Sequence, residues 1–367
     1  MIGLALSGGG SRAIAFHLGC LRALNDLGVL DKINVLSTIS GGSVIGAYYA
    51  YTPGKSFDEF ESDIRTFLKH GFQLNIAIEL AKPYNFIPCL ANFLIIQLQE
   101  IAGYFNSRIP KLQRYPSRTD MFQRVLERRM FPKLSAGSPR RNNVNIVIGA
   151  CELRTGSSFR FGNDKSGSWR QGELINNNFD VAFAVAASAA YPIFLPALDR
   201  TWEFRKNGQV MEHRVLLTDG GVYDNLGIQV LEPDRNSEIS IHSFPCDFII
   251  SCNAGQGLDS GSSLPLGFFS RVTRSFEVVH RRVQDSAMTR LHHLKKAGLI
   301  KGFAMPYLGQ NDNNLPWKPN NLQLRQDVIE YPTNFAAMSD EWIETLSERG
   351  EQLTMALVTY YLRDLLR

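Results

Sequence analysis

The sequence predicts an α/β fold with helices on both faces of a mostly parallel central sheet, and three observations carry that expectation. Ile2 to Leu6 is a short apolar run closed by Ser7-Gly8-Gly9-Gly10, and Ala13 to Leu24 then carries apolar residues at helical spacing. Ile33 to Ile39 repeats the pattern as a β-branched run stopped by Ser40-Gly41-Gly42, followed by small and apolar residues from Val44 to Tyr51. Two strand-turn-helix units this close together imply parallel strands joined by right-handed helical crossovers.

Further strands are expected at Asn145 to Cys151, Ser158 to Phe161, Val215 to Thr218 and Phe248 to Cys252, the last two as apolar runs suited to buried positions. Helices are expected at Phe57 to Leu68, Arg118 to Arg129, Phe179 to Ala190, Phe268 to Lys296 and Glu351 to Arg367. Gly255 to Ser263 and Asn311 to Asn321 read as surface loops. No Pro/Gly/Ser-rich linker divides the chain. One domain over residues 1 to 367 is therefore expected, with an insertion around 84 to 141 and a C-terminal helical extension around 327 to 367.

The 367 residues are 44% hydrophobic and 20% charged, enough apolar material for a large core. Lysine plus arginine exceeds aspartate plus glutamate by 39 to 35, a net charge of +4, too small to argue for nucleic acid as a partner. Its distribution says more. Arg108, Lys111, Arg114, Arg118, Arg124, Arg128, Arg129, Lys133, Arg140 and Arg141 are opposed only by Asp120 and Glu127. Just before them, Tyr84 to Phe105 is the longest apolar stretch, interrupted by Pro88, Asn92, Gln97, Gln99 and Glu100. Those interruptions argue against a bilayer-spanning helix and leave two readings, a buried cap helix or an amphipathic surface that meets lipid.

Cys20, Cys89, Cys151, Cys246 and Cys252 are scattered and odd in number, without CxxC spacing, so neither a disulfide framework nor a zinc site is expected. Met1 to Leu6 already reads as a buried strand, with no room for a signal peptide, which makes a cytoplasmic location the default.

Ser43 follows Gly41-Gly42 at a sharp strand-to-helix turn, where a serine hydroxyl would be exposed above the sheet edge next to a helix N-terminus. A serine that merely caps the helix gives the same pattern, and Ser40 offers that cap as well. Gly8-Gly9-Gly10 supplies unhindered amides at a helix start, able to hold an oxyanion or a phosphate, though the loop matches neither a P-loop nor a dinucleotide fingerprint. Asp219 ends an apolar run and is followed by Gly220-Gly221, placing its carboxylate at the end of a strand, where α/β sheets bind ligands.

Gly8-Gly9-Gly10-Ser11-Arg12, Ser40-Gly41-Gly42-Ser43, Ala187-Ser188-Ala189-Ala190-Tyr191-Pro192 and Asp219-Gly220-Gly221 together resemble patatin-like phospholipases in content, order and spacing, over residues 1 to 230. The resemblance implies a patatin-like three-layer α/β/α sandwich and a Ser-Asp dyad without histidine. It assigns Ser43 as nucleophile, Asp219 as base and Gly8, Gly9 and Gly10 as oxyanion hole, with Ser11, Arg12, Gly41, Gly42, Gly220 and Gly221 in support. Two positions depart from the family pattern: Ile45 stands two residues after Ser43 where glycine is usual, and Ala13 follows Arg12.

A triad would need a histidine, and His242, His280, His292 and His293 follow Asp219 in the chain; all four read as structural or solvated. Arg12 could meet a phosphate head group or anchor the loop. The implied activity is hydrolysis of phospholipid or lysophospholipid esters through an acyl-enzyme, with no cofactor or metal, at a membrane surface to which the protein binds peripherally. A binding or regulatory module that has lost efficient chemistry, suggested by Ile45, and a ligand-activated membrane-degrading effector are the competing readings.

Overall fold

The computed structural model describes residues 1–105, 112–114, 116–192, 194–257 and 264–366. Its strands are β1 (Ile2–Leu6), β2 (Val35–Ile39), β3 (Asn145–Glu152), β4 (Ser157–Gly162), β5 (Ser166–Ser168), β6 (Gly172–Leu174), β7 (Leu198–Lys206), β8 (Gln209–Asp219), β9 (Phe248–Cys252) and β10 (Gly302–Ala304). The helices are α1 (Gly10–Asp26), α2 (Gly41–Tyr51), α3 (Phe57–His70), α4 (Gln73–Ala81), α5 (Pro83–Phe105), α6 (Arg118–Arg129), α7 (Val181–Ser188), α8 (Gly221–Asp224), α9 (Phe268–Lys296), α10 (Arg325–Val328) and α11 (Asp340–Tyr361).

The sheet runs β10-β9-β1-β2-β3-β4-β5-β6-β7-β8, and β8 pairs back onto β3. Strands β10, β9, β1, β2 and β3 are parallel to one another in that order. From β3 onward every pairing is antiparallel, and the β3–β8 pairing closes those six strands into a barrel. The expectation of a mostly parallel sheet is therefore corrected. Four of the five strands of the parallel half alternate with helices, whereas short turns link β4 to β5, β5 to β6 and β7 to β8, and β5, β6 and β7 lack the apolar runs that marked the other strands.

Register explains how the two halves meet. β2 runs parallel to β3 and ends at Ile39 opposite Gly149, while β8 runs antiparallel to β3 and ends at Asp219 opposite Ala150. Since β4 occupies the other edge of β3, β2 and β8 share one edge and meet tip to tip. The residue after Ile39 and the last residue of β8 are thereby forced together.

Side chains alternate between two cores, as the period of a strand requires. Leu4, Leu6, Leu36, Ile146, Ile148 and Ile250 pack with Phe16 of α1, Val44 of α2 and Leu353 of α11. Ala5, Val35, Val147 and Ile249 pack on the opposite face with Leu226, Leu231 and, from α9, Leu291 and Leu294. Helical or looped layers thus cover both faces. The C-terminal helix begins at Asp340 rather than Glu351, because Ser339 caps it by accepting from the Trp342 amide at 3.3 Å.

Of the two readings of the long apolar stretch, the buried one is not what forms. Helix α5 leaves Ile87 and Leu98 each 65% exposed, with Tyr84, Phe93, Leu94 and Ile101 exposed beside them. It is long and apolar enough to cross a membrane. The basic run is mostly engaged. Arg124 donates to Asn85 Oδ1 at 2.6 Å, Arg128 to Glu79 Oε1 at 2.6 Å, Arg129 to the Gly71 carbonyl, and Arg141 to the carbonyls of Thr52 and Lys55. Arg108 and Lys111 lie outside the described residues.

Candidate active site

The turn between β2 and α2 presents Ser40, not Ser43, to the carboxylate. Ser40 Oγ donates to Asp219 Oδ2 at 2.7 Å. Ser40 also holds a backbone conformation that side-chain-bearing residues rarely adopt, φ 53° and ψ −119°, immediately before the first turn of α2. Strain of this kind persists only where the surroundings impose it. Here the imposition is visible at Gly42, where an added Cβ would lie 2.3 Å from the Leu6 carbonyl oxygen, so α2 can enter this close to β1 only with glycine there.

Ser43 sits one turn further on, fully buried, and faces inward. Its hydroxyl lies 3.1 Å from Thr38 Oγ1 and 2.8 Å from Ser188 Oγ, with one proton to donate between the two. The structure does not bring Ser43 and Asp219 into contact, so the pairing expected of them is corrected: the hydroxyl placed on the carboxylate is that of Ser40. The mismatch at Ile45 dissolves with it: two residues after Ser40 stands Gly42, and the departure from the elbow pattern moves to Thr38, two residues before. Thr38 Oγ1 itself donates to the Val147 carbonyl, so threonine is held by the neighbouring strand.

Ser188, at the end of α7, lies in the Ala187-to-Pro192 segment that carried part of the resemblance; sequence gave it no role of its own, and the structure shows that it ties the elbow together. Its hydroxyl donates to the Gly149 carbonyl at 2.6 Å and accepts from the Ser40 amide at 2.9 Å. The same segment reaches Asp219, whose amide donates to the Ala190 carbonyl at 3.1 Å, and Gly220, whose amide donates to the Ser188 carbonyl.

Burial pushes the Asp219 carboxyl up from 3.8 to about 6, against the hydrogen bonds from Ser40 Oγ and the Gly221 amide, which favour its charged form. A carboxylate so tuned is ionised near neutrality yet basic enough to take a proton. No histidine joins the pair among the described residues. His242 bonds the Lys165 carbonyl and is held neutral by burial, its pKa down to about 3; His280 contacts Gln284, and His292 packs on Phe303.

The glycine loop lies against this serine: a Cβ on Gly8 would meet Asn225 Oδ1 at 2.4 Å and Ser40 Cβ at 3.2 Å. The Gly8 amide is already donated to the Asn225 carbonyl at 3.2 Å, so Gly8 shapes the loop rather than offering a donor. Among the described residues the amides of Gly9 and Gly10 have no acceptor. Gly10 has φ 59°, and a Cβ there would lie 2.3 Å from the Asn334 carbonyl oxygen. Ser11 donates its amide to that same oxygen at 2.7 Å. Arg12 is buried and anchors the loop through the carbonyls of Ala254 and Tyr331, each at 3.0 Å, so it is not free to meet a phosphate.

A half-parallel sheet joined to a closed barrel, with a strained serine on a buried carboxylate where the halves meet, defines a class of α/β proteins with a serine-aspartate pair at the strand tips. Residues 4–231 match the family model described as Patatin-like phospholipase, and the chain belongs to that family. The family is one of lipid ester hydrolases. No curated protein sequence matches the chain. Among solved structures, human GIVD cytosolic phospholipase A2 is similar with a TM-score of 0.58 at 14% identity, over 100% of this chain and 60% of that one. The same human enzyme in complex with methyl gamma-linolenyl fluorophosphonate inhibitor and terbium chloride gives 0.53 at 13% identity, over 100% of this chain and 59% of that one. At such identities the likeness is one of fold, and this chain spans about three-fifths of the human chain.

Proposed function

We propose that this protein hydrolyses carboxylic esters of phospholipids or lysophospholipids through a Ser40-Asp219 dyad. The observation that carries the reading is the 2.7 Å bond from Ser40 Oγ to an aspartate poised near neutrality. As Ser40 Oγ attacks the ester carbonyl, Asp219 takes its proton, and the amides of Gly9 and Gly10 receive the developing oxyanion. Asp219 then returns the proton to the leaving alcohol, and water, deprotonated by the same carboxylate, releases the fatty acid from the acyl-Ser40 ester.

Helix α5 supports a peripheral membrane location, because its exposed apolar side chains can enter the interface while the body of the domain stays in water. Five unpaired cysteines fit a reducing, cytoplasmic compartment.

A lipid-chain fluorophosphonate followed by peptide mass mapping tests the assignment. One adduct on Ser40, absent in Ser40→Ala, is the expected result. Labelling of Ser43 instead would restore the alternative nucleophile, and no labelling of an intact protein would leave a non-catalytic module as the better reading.

A further inference from the structure

Behind the glycine loop lies a cluster that sequence spacing conceals. Helix α1 places His17 and Cys20 one turn apart on the same face, and β9 ends at Cys252, whose register partner on β1 is Leu6. All three side chains are fully buried, and their ligand atoms lie within 4.8 Å of one another. His17 Nε2 bonds the Ser7 carbonyl at 3.0 Å, which makes Nδ1 the nitrogen with the free lone pair. That Nδ1 is buried and, among the described residues, has no hydrogen-bond partner. Beside two thiols in a dry interior, this acceptor is filled either by a thiol proton or by an ion that displaces the thiol protons.

We infer that His17, Cys20 and Cys252 form a site for one thiophilic d10 metal ion, Zn2+ or Cu(I). The surroundings are those of a ligand set with its outer contacts in place. The Ser7 carbonyl fixes the imidazole, and the Ser7 amide donates to the Cys252 carbonyl at 3.1 Å. Soft thiolate donors select this class of ion over calcium or magnesium. Both thiols bind as thiolates, releasing two protons as the ion enters. With Zn2+ and two thiolates the cluster is neutral, which suits a buried site. With Cu(I) the three side chains complete the shell by themselves. The ion would sit behind Ser7 and stiffen the start of the glycine loop without touching Ser40.

The full-length protein, purified anaerobically, is loaded with Zn2+ in one arm and Cu(I) in another, dialysed against chelator, and assayed for metal per chain. About one ion retained in either arm, with a raised Tm, is expected. Loaded with Co2+, the wild type should show thiolate-to-cobalt charge-transfer absorption, a readout that needs no variant to fold. Cys20→Ala and Cys252→Ser should each abolish retention, while Cys246→Ser, a buried thiol elsewhere, should not. The inference is overturned if wild type retains neither ion, if the cobalt spectrum lacks that absorption, if both cysteine variants still bind, or if the native mass is lower by two hydrogens because the thiols form a disulfide.

Discussion

Ser40 Oγ and Asp219 Oδ2 lie 2.7 Å apart because β2 and β8 approach one edge of β3 from opposite ends and stop opposite Gly149 and Ala150. Hydrolysis should therefore depend on Ser40. Ser40→Ala is expected to lose about 10⁴-fold or more in kcat, since the nucleophile itself is gone. Ser43→Ala should keep kcat within about tenfold and lose only about 1–2 kcal/mol of stability with its two hydrogen bonds. Steady-state rates on a soluble ester, together with denaturant melts, separate the two; the reverse ranking would return the chemistry to Ser43.

Asp219 predicts the pH profile. The carboxyl works as a base only when ionised, so kcat/KM should fall tenfold per unit below about pH 6 and level off above it. Its effect on stability has the opposite sign. The folded value of about 6 lies above the ordinary 3.8, so Asp219 favours the folded state while protonated, and that contribution is lost as pH rises from about 4 to about 6. Asp219→Asn should then abolish hydrolysis while raising the unfolding free energy at pH 8 by on the order of 1–3 kcal/mol. A variant less stable than wild type at pH 8 would mean that the carboxylate is not held at a cost.

Ser188→Ala leaves the Ser40 amide without its acceptor and the Ser43 hydroxyl without one partner. A loss of about 1–3 kcal/mol in stability is expected. The strained turn should relax, lowering kcat by about 10–100-fold with KM nearly unchanged, because the substrate contacts are untouched. An unaltered kcat would show that the glycines alone hold the elbow.

Leu94 and Leu98 lie one turn apart on the exposed face of α5. Leu94→Glu with Leu98→Glu should reduce binding to phosphatidylcholine vesicles containing anionic lipid by about tenfold or more, each lost apolar insertion being worth about 1.5–3 kcal/mol at most. Turnover of a soluble ester should stay near wild type. Charge reversal at Arg124, Arg128 or Arg129 is a poorer probe, since these side chains hold α6 to Asn85, Glu79 and Gly71 and their loss would loosen the fold as well.

The sequence by itself determined four of the five parallel strands, β10 excepted, together with the glycine loop, the elbow and the aspartate, because each is a local pattern: an apolar run, glycines where a Cβ would strike backbone, a helix at regular spacing. It put the nucleophile at Ser43 and gave Ser40 only the place of a helix cap, since both stand at one strand-to-helix turn and differ by less than one turn of helix. The antiparallel barrel was hidden as well, because β5 and β6 are three residues each and carry no hydrophobic period. Only the tertiary structure decided these matters. The barrel brings the end of β8 head-on to the end of β2, and that meeting turns Ser40 toward Asp219 and leaves Ser43 to hold the turn from within.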